Sequence, residues 1–267
     1  MGGCKVFIRS LGHIIITLPS IIYHGLIHTC NRLIFGSSEI IVKSADENTN
    51  ELSSLLDRDN NSSVSLSDDN YQNKETKTIV FLHGKGGDPC NFDFIVKYLL
   101  KNKKKYNIFV PYLGDNNTTS IEDDANTLLN RLKIRNIPLD NIVLVGLSKG
   151  GLVAAYFATN FHSVNKIITI SSPMLGTKMA DLHWDKNVRD ALGYMNKSAV
   201  DLSQTANTNR YYHIVPKYDH VITPTEVAYY PSTPSSNIYC YSGLHSHIGV
   251  THSTDICDKI ISWIEEP

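Results

Sequence analysis

Residues 141–155 read NIVLVGLSKGGLVAA. The first six form a short apolar run of the kind that makes a buried strand. From Ser148 the text changes to SKGGLVAAYFATNF, a helical stretch with small residues on its early turns. Between the two stands Gly146-Leu147-Ser148-Lys149-Gly150, a Gly-x-Ser-x-Gly sequence. A serine at such a junction sits on a sharp, strained turn, and larger residues two positions before and after it would clash. The turn lifts the hydroxyl to the carboxyl edge of the sheet, where α/β folds place their ligands. A serine that opens a helix also serves widely as a plain N-cap. The strand–turn–helix setting favours the catalytic reading, which makes Ser148 the candidate nucleophile.

Reading outward from this turn, apolar runs alternate with amphipathic stretches. TIVFLHG (78–84), YNIFVP (106–111), KIITIS (166–171), YYHIVP (211–216) and NIYCYSG (237–243) read as strands. Residues 92–100, 121–133 and 253–265 carry helical spacing. This alternation predicts an α/β fold: a mostly parallel central sheet covered by helices on both faces. Thirty-two residues separate KIITISSPMLGT from RYYHIV. They predict a short cap insertion of one or two helices, with Met174, Trp184 and Tyr194 as either pocket lining or core.

A serine hydroxyl is a weak nucleophile until a base takes its proton, and the base in turn needs an acid to orient it. In this architecture the chain order is Ser, acid, His. Asp219 follows the late strand YYHIVP and is the candidate acid; an aspartate in an exposed turn is the plainer alternative. YSGLHSHIGVTHS (241–253) offers His245, His247 and His252 as the base, all between the last strand and the last helix. A tetrahedral intermediate also needs donors for its oxyanion. The backbone N–H groups of Lys85, in the glycine-rich loop after TIVFL, and of Lys149, next to the nucleophile, are the candidate pair. That loop matches neither GxxxxGK[ST] nor GxGxxG, so a phosphate cradle is disfavoured.

HGKGGDPCNF (83–92), GLSKGG (146–151), YDHVI (218–222) and HIGV (247–250) together resemble the α/β-hydrolase superfamily, and most closely its small bacterial lipases and esterases. The resemblance covers roughly residues 77–267. It implies an oxyanion loop at HGKGG, the acid at Asp219, and the base at His247, because Ile248-Gly249 completes the family's His-Ile-Gly run; His245 is the alternative base. Such lipases commonly carry His before the nucleophile, where this chain has Leu147, which leaves substrate preference open. The implied reaction is hydrolysis of carboxylic esters, lipid esters among them, with no metal and no organic cofactor. Acyl-thioester or amide hydrolysis by the same triad is the rival chemistry. A catalytically silent, membrane-tethered binding module on the same scaffold is the rival of another class.

The first 76 residues have a different texture. From 10 to 31 there is no formal charge, a length sufficient to cross a bilayer. Pro19 interrupts the stretch, and His13, Thr17, Ser20, His24 and His28 fall on one helical face opposite Leu11, Ile15, Leu18, Ile22 and Leu26. Residues 1–36 are therefore read as a hydrophobic, amphipathic segment. Through residues 6–35 it would lie on a membrane interface, span the membrane as an anchor, or pack on the domain. Its presence predicts membrane association, and a cytoplasmic location otherwise. Residues 37–76, rich in Asn, Asp and Ser, read as a flexible polar linker. The domain proper is residues 77–267.

Across the 267 residues, 25 Lys and Arg offset 26 Asp and Glu. No basic surplus exists to bind nucleic acid through counterion release. Five scattered cysteines, with no CxxC pair, argue against a disulfide framework or a zinc site.

Overall fold

A computed structural model describes residues 39–42, 76–102, 106–113, 120–162, 164–183 and 185–266. The amphipathic segment 1–36, the membrane contact expected of residues 6–35, most of the linker, and Trp184 lie outside these residues.

Seven strands form one sheet in the order β1-β3-β2-β4-β5-β6-β7. They are β1 (Ile40–Val42), β2 (Thr78–Leu82), β3 (Asn107–Val110), β4 (Ile142–Leu147), β5 (Lys166–Ile170), β6 (Tyr211–Pro216) and β7 (Ile238–Tyr241). β2 to β7 are mutually parallel. β1 adds an antiparallel edge beside β3, with Ile41 opposite Phe109. This edge falls within the stretch read as linker. A three-residue strand whose partner lies more than sixty residues away leaves no local periodic signal.

Each strand of a parallel sheet buries both faces, and β2 shows the consequence. Ile79 and Phe81 enter one apolar cluster, Val80 and Leu82 the other. The first cluster is closed by α1 (Asp93–Lys101) and α7 (Thr254–Glu265), which supplies Ile256, Ile260, Trp263 and Ile264. The second is closed by α2 (Ile121–Ile134) and α3 (Lys149–Asn160), through Leu128, Leu132, Leu152, Val153 and Phe157. Local signals set the helix ends. Ser120 Oγ accepts from Asp123 N–H at 3.0 Å, and the Asp123 side chain returns a bond to Ser120 N–H. At the far end of α7, Lys77 Nζ donates to Ile264 O at 2.6 Å and Lys166 Nζ to Glu266 O at 2.9 Å, satisfying carbonyls that the helix leaves over.

Between β5 and β6 the chain makes three short helices, α4 (Lys178–Asp181), α5 (Lys186–Leu192) and α6 (Lys197–Thr205), where one or two were expected. Each has its own side-chain N-cap, Thr177, Asp185 and Asn196 respectively, so the segment breaks into separate turns. Met174 is fully buried core, while Tyr194 is 40% exposed beneath Lys178 Nζ.

His213, in the middle of β6, is fully buried between Thr169 Oγ1 at 2.7 Å on β5 and Thr233 Oγ1 at 3.2 Å. Burial pushes its imidazole down to about 3. The unfolded chain therefore takes up this proton first as the pH falls below about 6.5, and the folded state loses stability through that window. We expect a loss of about 2 kcal/mol between about pH 7 and pH 5 from this residue alone. Urea unfolding at the two pH values checks it: His213→Gln should remove most of the difference.

Candidate active site

All candidate residues follow the carboxyl ends of parallel strands: Lys85 after β2, Ser148 after β4, Asp219 after β6, His245 and His247 after β7. The sheet thus delivers them to one edge.

Ser148 has φ 54° and ψ −124°, a conformation that side chains rarely adopt. It stands at the N-cap position of α3, yet its side chain makes no capping hydrogen bond. The simple capping alternative therefore fails. The strain, of order 1–3 kcal/mol, is held by the surroundings. Ser148 N–H donates to Ile170 O at 2.9 Å on β5, and Ser148 O accepts from Gly151 N–H at 3.0 Å. The flanking glycines are steric necessities. A Cβ on Gly146 would lie 2.4 Å from Gly150 C, and one on Gly150 would lie 2.1 Å from Leu82 O.

The glycine-rich loop comes close to the nucleophile. A Cβ on Gly84 would meet Ser148 Cβ at 2.8 Å and Ser148 Oγ at 3.4 Å. His83 fixes the loop from behind: its Nε2 accepts from Leu113 N–H at 3.0 Å, so its Nδ1 carries the proton donated to Gly84 O at 3.0 Å. Gly84→Ala should displace the loop from Ser148 and lower kcat/KM by on the order of 10²-fold. Steady-state kinetics beside a thermal melt would separate this from misfolding.

On the other side, His247 Nδ1 and Asp219 Oδ2 are 2.7 Å apart, both largely buried. Asp219 Oδ1 accepts from Val221 N–H at 2.8 Å and Ile222 N–H at 3.2 Å. Burial pushes the Asp219 carboxyl up, but the hydrogen bond and charge of His247, with the two backbone donors, outweigh it. The net position is below the usual carboxylate value. An ionised Asp219 can hold His247 with Nε2 turned outward as the proton acceptor. His245 is engaged elsewhere: its Nδ1 is 2.6 Å from Tyr241 Oη.

Two features escaped the sequence. Lys149, expected to act only through its backbone, also buries its side chain against Asp124 of α2, Nζ to Oδ2 at 2.8 Å. Lys85 Nζ reaches the cap, 3.0 Å from His183 Nε2. Two clefts of about 550 and 420 Å³, both lined by Tyr156, Asp190 and Ser198, hold none of the candidate residues. Among the described residues, no group of three or more His, Cys, Asp or Glu is placed to hold a metal ion. Nor is any helix among them long and apolar enough to cross a membrane.

Comparison with known proteins bears on the fold. No family model matches the chain, and no curated protein matches it by sequence. Solved structures do match. The mature form of the Bacillus licheniformis lipase BlEst2 is 19% identical with a TM-score of 0.52, over 71% of this chain and 92% of that one. Its propeptide form gives a TM-score of 0.59 at 17% identity, over 72% of this chain and 51% of that one. MGS-MChE2, an α/β hydrolase from a lagoon-sediment metagenome, is 21% identical with a TM-score of 0.51, over 72% and 91%. The chain has the α/β-hydrolase fold. At these identities the likeness reaches the fold and stops there, so the chemistry has to be argued from the residues.

Proposed function

We propose that this α/β-hydrolase-fold chain is a serine hydrolase that cleaves carboxylic esters through an acyl-enzyme. Ser148 attacks the ester carbonyl while His247 takes its proton at Nε2; Asp219 orients the imidazole and stabilises the imidazolium. The backbone N–H groups of Lys85 and Lys149 receive the oxyanion. His247 then returns the proton to the leaving alcohol, and water repeats the sequence on the acyl-enzyme. The observation that carries this reading is Ser148 itself: a serine at φ 54° that heads a helix without capping it. The His247–Asp219 pair supports it from the other side.

An apolar acyl group suits the surroundings. Met179, Leu182, Tyr194 and Met195 of the cap, which Lys85 Nζ reaches through His183, and Leu244, next to His245 in the chain, are exposed apolar side chains. In this reading residues 6–35 bring the domain to a lipid surface. Turnover of a panel of p-nitrophenyl esters, acyl thioesters and anilides tests the assignment. Ester cleavage should dominate, and vesicle co-sedimentation of the full chain tests the lipid contact. Preference for thioesters or amides would replace the substrate class; no turnover of any would leave a binding module.

A further inference from the structure

The side chain of Lys85 makes a contact that fixes its own protonation state. His183 Nδ1 accepts a hydrogen bond from Asp185 N–H at 3.0 Å, so that nitrogen carries no proton. A neutral imidazole then holds its proton on Nε2, which faces Lys85 Nζ at 3.0 Å. An ammonium at Nζ would set donor against donor. Both hydrogen bonds exist together only when Lys85 is an amine whose lone pair accepts from Nε2–H.

We propose that Lys85 is a positioning residue that, as a free amine, takes a hydrogen bond from His183 and ties the glycine-rich loop to the cap. Its own backbone N–H is the oxyanion donor of the proposed function, so the tie sets the height of that donor over Ser148. The effect on rate rests on that proposed function; the contact does not. The cap end of the tie is anchored, since Arg189 Nη1 donates to His183 O at 2.6 Å. The groups that bear on Nζ pull in both directions. Burial lowers its proton affinity most, Asp185 from the cap raises it, and Lys149 from α3 lowers it, for a net position below the ordinary lysine value. As pH falls through that position the amine takes a proton, the contact turns repulsive, and the loop is released from the cap.

The test uses the full chain with isotope-labelled lysine Cε, first in the Ser148→Ala background, where no turnover is needed. The resonance lost in Lys85→Met should titrate below the ordinary lysine value. His183→Ala should move its midpoint up by about one pH unit, and His183→Gln, which keeps a side-chain N–H donor, should restore part of the shift. A Lys85 resonance that titrates at the ordinary lysine value, or ignores His183→Ala, overturns the proposal. With Ser148 present, kcat/KM on a p-nitrophenyl ester should rise with pH across the Lys85 midpoint, and that limb should be lost in His183→Ala, which has no contact left to break. A uniform loss at every pH would make the contact merely structural and overturn the positioning role. The expected titration with no ester turnover at all would instead sink the hydrolase reading and leave the tie standing.

Discussion

Ser148→Ala is expected to abolish covalent labelling by a fluorophosphonate probe and to lower kcat by at least about 10⁴-fold. His247→Ala should match it to within about tenfold, because nucleophile and base act as a unit and losing either removes the same step. His245→Ala should leave labelling intact, since the His245 imidazole is bonded to Tyr241 Oη rather than to an acid. If His245→Ala silences the probe while His247→Ala does not, the base is misassigned. Labelling that survives Ser148→Ala would move the nucleophile elsewhere. A companion variant adds a check from stability. Glycine tolerates the positive φ that serine adopts only under strain. Ser148→Gly should therefore be inactive yet more stable than the parent by about 1 kcal/mol in urea unfolding. Strain kept at one residue and relieved at the expense of activity is the behaviour of a functional turn.

Much of this could be read in advance because it is written locally. The strand–turn–helix at 141–155 carries its own periodicity, its own glycines and its candidate nucleophile in one continuous stretch. The order Ser, Asp, His followed from where strands end. What stayed hidden depends on tertiary neighbours. Spacing leaves His245, His247 and His252 open and the resemblance alone singles out His247; which imidazole meets Asp219 depends on the parallel pairing of β6 with β7. Strand β1 needs β3 beside it. The cap read as one or two helices because each of its three N-caps restarts a helix too short to show a period. Lys85 and His183 lie ninety-eight positions apart, and no spacing rule links them.

The partnership of Lys149 with Asp124 was the least legible feature, and it carries the second large prediction. Asp124 belongs to Glu122-Asp123-Asp124, which reads as an ordinary acidic first turn of α2 facing solvent. Instead its side chain is 8% exposed and meets Lys149 Nζ at 2.8 Å. Taking two charges out of water costs several kcal/mol each, and pairing them offsets much of that cost. Deleting one partner should therefore cost about 3–5 kcal/mol, far more than a surface ion pair. The two deletions should not cost the same. Asp124 lies in the first turn of α2, whose dipole favours a negative charge; Lys149 opens α3, whose dipole opposes a positive one. Lys149→Met leaves a carboxylate that the helix still supports. Asp124→Asn leaves a buried ammonium at the positive end of a helix, directly behind Ser148. We expect Asp124→Asn to fall near the upper end of that range and Lys149→Met near the lower. The double variant Asp124→Asn/Lys149→Met should recover most of the loss, because no charge then remains to be buried. Urea unfolding of the four proteins checks the cycle. Equal single losses would mean that the helix dipoles play no part, and a double variant as unstable as the sum would mean that the two charges do not act as a pair.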